Sequence, residues 1–233
     1  MEKNRSNMKR SDIIASLVLG EIATWLILAV IKTILPLFYE QFRSLLLIGL
    51  PIIFPILCLI FLYLAFLIAR KITVIRQASK FVLVGGLNTL VDWGVLSFLI
   101  FAFQKYLNIG SSHVIFSIFS VTIIFYSLFK AISFILATTN SYIWNKFWTF
   151  KRKTTEKLSK EFLQFFVISV IGFLINVGLA SFVFKFMPPF GGLNIDQWAI
   201  FSAAVATVVS MVWNFLGYKF IVFDVKSKTE SNV

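Results

Sequence analysis

Apolar residues along this chain fall in long blocks separated by short basic stretches. Six blocks reach the length of about 20 residues that a helix needs to cross a hydrocarbon core. They cover residues 13–35, 45–69, 80–103, 127–149, 162–186 and 198–223. Continuous apolar runs of this length read as membrane spans rather than as one face of a soluble helix. Nothing long enough for a soluble domain remains between them. The pattern predicts an all-α integral membrane protein with six transmembrane helices. Residues 1–75 would form an N-terminal hairpin, 80–223 a four-helix unit and 224–233 a tail. Pro36, Pro51 and Pro55 lie in or beside the hairpin. A proline inside a span frees a backbone carbonyl, so the second span is expected to bend. The first block carries Glu21 and Lys32 and lacks a small-x-small cleavage site before a soluble region, so it is expected to be a retained span. Residues 114–129, VIFSIFSVTIIFYSLF, do not fit this scheme. They are short for a crossing and precede a span already long enough. The expectation is an outer-leaflet helix, a re-entrant piece or an extension of the fourth span.

Charge orients the spans. The chain has 233 residues, of which 59% are hydrophobic and 14% charged, against about 25% charged in an ordinary soluble domain. Its formal net charge is +12. On a soluble protein that would suggest nucleic acid. Here the cations sit in alternate gaps, where topology and anionic lipid headgroups account for them, so no nucleic-acid partner is expected. The N-terminus has Lys3, Arg5, Lys9 and Arg10. The second-to-third gap has Arg70, Lys71, Arg76 and Lys80. The fourth-to-fifth gap has Lys146, Lys151, Arg152, Lys153, Lys157 and Lys160, and the C-terminus has Lys219, Lys226 and Lys228. These are seventeen cations, against four (Lys32, Arg43, Lys105, Lys185) in the intervening gaps. The asymmetry predicts that both termini are cytoplasmic and that the number of spans is even. Trp144, Phe147 and Trp148 are expected in an interfacial aromatic belt. Cys58, the one cysteine, makes neither an internal disulfide nor a zinc site.

Residues 80–223 contain two related halves. FVLVGGLNTLVDW (81–93) and NSYIWNKFWTF (140–150) bound the first; ISVIGFLINVGLA (168–180) and VWNFLGYKFIVF (212–223) bound the second. Gly85-x-x-x-Thr89 aligns with Gly172-x-x-x-Asn176, and Asn145-Lys146-Phe147-x-x-Phe150 with Tyr218-Lys219-Phe220-x-x-Phe223. Each half has two spans, so the repeats run parallel, a plan met in transporters. The F-x-x-V-G opening and the Asn-rich run ending N-[KR]-x-W-x-F before a basic loop resemble the GtrA-like family of small four-helix bacterial and archaeal membrane proteins. Tyr218 stands where that family often has Asn. The resemblance covers residues 80–223 and leaves 1–75 outside. It implies a protein of the cytoplasmic membrane that flips polyprenyl-phosphate-linked monosaccharides used in cell-envelope polysaccharide glycosylation. The alternative it implies is a non-transporting scaffold that anchors or activates a polyprenyl-phosphate glycosyltransferase.

Polar groups inside a span are costly and need a reason. Gly85, Asn88, Thr89 and Asp92 share one helical face, as do Ser169, Gly172, Asn176 and Ala180. The fourth span shows Ser133, Ala137, Ser141 and Asn145, and the sixth Ser202, Ala206, Ser210 and Asn214. Small residues at this spacing let helices pack closely. Asn88, Asn140, Asn145, Asn176 and Asn214 exceed that need and are candidates for a polar path. Asp92 lies twelve residues beyond Lys80, about 18 Å at helical rise and near mid-membrane. Lys130 is the nearest predicted cation and the proposed partner. Lys146 and Lys219 recur at both repeat exits and are candidate phosphate ligands. Trp148 reads either as a platform for a sugar ring or as an interface anchor. Glu21 and Lys32, on roughly one face of the first span, are candidates for contact with the repeat unit. His113 is assigned nothing. No nucleotide loop, metal cluster or paired acidic motif marks an enzyme. No cofactor is implied, and without an ATP site flipping runs downhill or on an ion gradient. A third reading is a small-solute or cation transporter. Four spans make a thin wall that a homodimer would complete.

Overall fold

The computed structural model describes residues 8–69, 72, 74–118, 121–152, 158–189 and 191–223. Lys3, Arg5, Arg70, Lys71, Lys153, Lys157, Lys226, Lys228 and the tail 224–233 lie outside the described residues. The chain divides into two compact units, Met1–Lys151 and Arg152–Val233.

The first unit opens with α1 (Arg10–Ile34), followed by the short α2 (Pro36–Gln41), α3 (Arg43–Ile68) and α4 (Val74–Leu107). Pro36 occupies the first turn of α2, where its missing N–H costs nothing. α3 carries Pro51 and Pro55 internally yet is a single continuous helix. The α1–α3 packing is set by small groups. A Cβ on Gly20 would lie 2.6 Å from the Pro55 Cα, so the two backbones touch there. Thr24, one turn on, donates to the Gly20 carbonyl at 2.9 Å and lies 3.4 Å from the Leu50 carbonyl. Leu19, Ala23, Leu62, Phe66, Val84, Leu87 and Trp148 form the core where α1, α3 and α4 meet.

Beyond α4 the structure corrects the expectation for 114–129. Residues Val114–Ile118 (β1) and Val121–Ile124 (β2) form a two-stranded antiparallel hairpin, and only from Phe125 does a helix begin. The pairing is irregular between Val114 and Phe116, and the Ser117 and Thr122 hydroxyls meet across it at 3.0 Å. A run of β-branched residues pairs more readily than it coils, and short apolar runs do not distinguish strand from helix by periodicity. Then comes α5 (Phe125–Trp144), packed along α4 and continued by a π-helical turn at Asn145–Thr149.

The second unit is an antiparallel pair. α6 (Leu158–Phe186) packs on α7 (Ile195–Gly217), which also continues into a π-helical turn, Tyr218–Val222. The link is set locally. Gly191 and Gly192 take positive φ (64° and 74°), and Asn194 then caps α7 reciprocally with Gln197. The small-residue stripes face inward in both units: Ser133, Ala137 and Ser141 on α5, and Ser202, Ala206 and Ser210 on α7, are buried.

All six predicted blocks are helical, each within a few residues of its expected ends. Among the described residues, five helices are long and apolar enough to cross a membrane: α1, α3, α4, α6 and α7 with its turn. α5 falls short because Lys130, Ser133, Thr138, Thr139, Asn140 and Ser141 dilute it. Large apolar side chains such as Ile52, Phe98, Phe173 and Val208 point outward, as they do on a surface solvated by lipid. The chain is an α-helical, multi-pass membrane protein with one small β-hairpin.

The Gly20–Pro55 contact makes one prediction. Gly20→Leu forces α1 off α3 and costs about 1–3 kcal/mol, the usual range for overpacking. A thermal unfolding midpoint in detergent equal to that of the wild type would show that the two helices do not meet there.

Candidate functional site

Each unit holds polar groups in its helix pair, and the first unit holds more. Asp92 on α4 forms an ion pair with Lys130 on α5. Its other carboxylate oxygen accepts from the Ser133 hydroxyl at 2.6 Å. The spacing argument that paired Asp92 with Lys130 agrees with this geometry. Ser133 escaped it because a serine on a small-residue stripe looks like packing. Lys130 is 42% exposed, so the pair opens to one side of the helices.

Asn88 lies one turn from Asp92, Asn140 lies two turns beyond Ser133, and Asn145 opens the π-helical turn. Asn88 Oδ1, Asn140 Nδ2 and Asn145 Oδ1 are buried with no hydrogen-bond partner among the described residues, and so is Thr149 Oγ1. Asn145 spends its Nδ2 on the Ser141 carbonyl (2.9 Å) and hydroxyl (3.2 Å). That extra donor on a ladder carbonyl competes with the regular helix bond. The Phe150 N–H then reaches back five residues to the Asn145 carbonyl at 2.8 Å. Single π-helical turns of this kind are frequent at functional sites. Beside Gly85, a turn from Asn88, a Cβ would meet nothing within 4 Å.

The second unit shows the same device with different side chains. The Phe223 N–H reaches the Tyr218 carbonyl at 2.8 Å, and the Tyr218 hydroxyl meets Ser169 at 2.7 Å. Asn214 packs over Gly172, where a Cβ would come within 2.8 Å of its Cγ, and Asn214 Oδ1 is buried without a hydrogen-bond partner among the described residues. Asn176 Nδ2 reaches the Thr207 and Ser210 hydroxyls, both at 3.2 Å.

The two lysines picked out at the repeat exits sit alike. Lys146 Nζ lies over the Tyr142 and Phe147 rings at 5.4 and 5.6 Å, and donates to the Tyr142 hydroxyl at 3.1 Å. Lys219 Nζ lies over Phe215 and Phe220 at 5.8 and 5.3 Å. Phe147 and Phe220 are each 59% exposed, so in both turns the lysine shares its position with an outward-facing ring. Such stacking favours a cation held against aromatic faces.

Sequence reasoning missed Asp12. Its carboxylate is buried in the first unit, where Oδ1 takes Lys80 Nζ at 2.5 Å, Trp148 Nε1 at 3.2 Å and Lys151 Nζ at 3.6 Å. Trp148 is therefore neither an interface anchor nor an open platform for a sugar. It is buried, with Lys80 over its ring at 5.5 Å. The charged α1 side chain that bonds to the repeat region, among the described residues, is Asp12. Glu21 accepts from Trp25 on its own helix, and Lys32 lies over Tyr39 of α2.

A family model, the GtrA/DPMS transmembrane domain, matches residues 80–223. The chain belongs to this family. Among curated proteins it is similar to the uncharacterized membrane protein YngA of Bacillus subtilis (strain 168), 27% identical over 151 residues that cover 64% of this chain and 80% of the relative. No solved structure matches it. The matched GtrA/DPMS region holds Asn88, Asn140, Asn145, Asn176 and Asn214, the lysines Lys130, Lys146 and Lys219, and Asp92. It begins at Lys80 and leaves outside it the helix that supplies Asp12.

Asp92→Asn and Lys130→Met should each lower the unfolding midpoint, because each leaves its partner uncompensated. The swap Asp92→Lys with Lys130→Asp should restore about half of either loss, the non-additivity expected of contacting residues. A swap no more stable than the sum of the single changes would remove the pair from the account.

Proposed function

We propose that the chain is a translocase that moves polyprenyl-phosphate-linked monosaccharides across the cytoplasmic membrane for use in envelope polysaccharide glycosylation. The carrying observation is the set of unpartnered amide atoms at Asn88, Asn140 and Asn145 in a pair of membrane helices. A buried polar atom left unbonded costs about 1–3 kcal/mol, and nothing in close helix packing compensates it. A sugar, with hydroxyls that both donate and accept, supplies the missing bonds. Asp92 and Lys130 lie along the same helix pair and orient a polar headgroup in transit. Asn176 and Asn214 do the corresponding work in the second pair. Lys146 and Lys219, held over aromatic rings, are the ligands for the lipid phosphate. Membership of the GtrA/DPMS family supports this choice of substrate class.

In this reading all six long helices span, α5 being the most polar because it lines the path. Residues 80–223 act as a duplicated 2+2 unit, and both termini face the cytoplasm. The two π-helical turns at aligned positions support the duplication, and the alternation of basic loops supports the orientation. With no nucleotide-loop motif in the sequence, transport in this reading runs downhill or on an ion gradient. A second copy completes the wall around the path.

Purified protein in liposomes should speed the crossing of a labelled polyprenyl-phosphate monosaccharide. Asn88→Leu with Asn140→Leu should cut that rate about tenfold, the worth of one to two lost hydrogen bonds, while leaving the unfolding midpoint unchanged or raised. Wild-type protein giving no more crossing than empty liposomes would refute the translocase and favour a scaffold for a glycosyltransferase.

A further inference from the structure

Among the described residues, the buried cluster at Asp12 holds two ammonium groups and one carboxylate. Three donors, the Lys80 and Lys151 ammonium groups and the Trp148 indole N–H, converge on a single carboxylate oxygen. Lys80 is 4% exposed and fixed over the Phe66 and Trp148 rings, at 5.7 and 5.5 Å. The Arg76 guanidinium lies over the same Phe66 ring at 5.4 Å. Among the described residues, two ammonium groups thus face one carboxylate. A phosphate monoester carries about 1.5–2 negative charges and three acceptor oxygens. It would give each of the three donors an oxygen of its own and balance both ammonium groups.

The origin of the parts points the same way. Lys80, Trp148 and Lys151 belong to the GtrA/DPMS region, whereas Asp12 comes from α1, outside it. We infer that Lys80, Lys151 and Trp148 form an anion site for a phosphate monoester, and that Asp12 fills this site as an internal substitute for the ligand. Lys151 is 44% exposed, so it is the side from which a phosphate enters and displaces the carboxylate. A lipid headgroup and free phosphate present the same chemistry to this site. The prenyl monophosphate, the carrier left once the sugar has been handed on from the phosphodiester-linked lipid, is the prenyl form with this chemistry, and that choice rests on the function proposed above.

The test is equilibrium titration of the full chain in detergent with a short-chain polyprenyl monophosphate, inorganic phosphate and phosphatidylglycerol. Asp12→Asn removes the competing charge and should tighten the monophosphate about tenfold, equivalent to roughly 1.4 kcal/mol. Adding Lys80→Met or Lys151→Gln should abolish that gain. Tightening of the prenyl monophosphate alone identifies a lipid headgroup as the ligand; tightening of inorganic phosphate as well shows that the phosphate suffices. Either outcome upholds the site. A folded Asp12→Asn protein with unchanged affinity overturns it, and so does equal tightening for the phosphodiester lipid. Should Asp12→Asn fail to fold, Lys151→Gln in the wild-type chain takes its place. It should loosen the monophosphate about fivefold, and unchanged affinity overturns the site. Transport is not measured here, so binding that behaves as stated while liposomes show no crossing counts against the translocase alone.

Discussion

A polar side-chain atom carried into hydrocarbon must be bonded by the protein or by something the protein binds. That constraint explains most of what is ordered in the first unit. Asp12 draws Lys80, Trp148 and Lys151 to a single oxygen and so fixes α1 against α4 and the π-helical turn. Asp92 does the same for α4 and α5 through Lys130 and Ser133. Thr24 returns its hydroxyl to its own helix and lets α1 approach the prolines of α3. Against this background the open valences of Asn88, Asn140, Asn145 and Thr149 stand out, and the first two lie on the two helices that also carry the Asp92–Lys130 ion pair.

The π-helical turns connect local sequence to that site. Each adds one residue to the last turn of its helix and thereby rotates the lysine and its neighbouring ring relative to the helix above. In the first unit the Asn145 amide competes for the Ser141 carbonyl. In the second, Tyr218 is tied across to Ser169 instead. Two different side-chain solutions produce the same backbone turn and the same lysine-over-rings arrangement. This argues that the turn, more than any one residue in it, is what the two segments share.

How much of this could be read from sequence follows from the range of each signal. The helices were legible because block length and basic punctuation are local. The Asp92–Lys130 pair was legible because helical rise converts residue number into depth. Residues 114–124 were not, since an apolar β-branched run has no period that separates a strand from a helix. Asp12 was not, because an acid near a helix start is ordinarily explained by the helix dipole, and its partners lie 68 and 136 residues away. Trp148 was misplaced for the same reason: beside a basic loop it looks like an interfacial anchor until α1 covers it.

The central claim is that the face of α4 and α5 bearing Asn88 and Asn140 is a polar path and not dry packing. The chain has a single cysteine, Cys58, so a Cys58→Ala background permits a direct measurement. Cysteines placed singly at 88 and 140, and at the outward apolar position 173 as a control, would be exposed in liposomes to a charged, membrane-impermeant thiol reagent. The account predicts that 88 and 140 react and that 173 does not. Protection of 88 and 140 equal to that at 173 would contradict it.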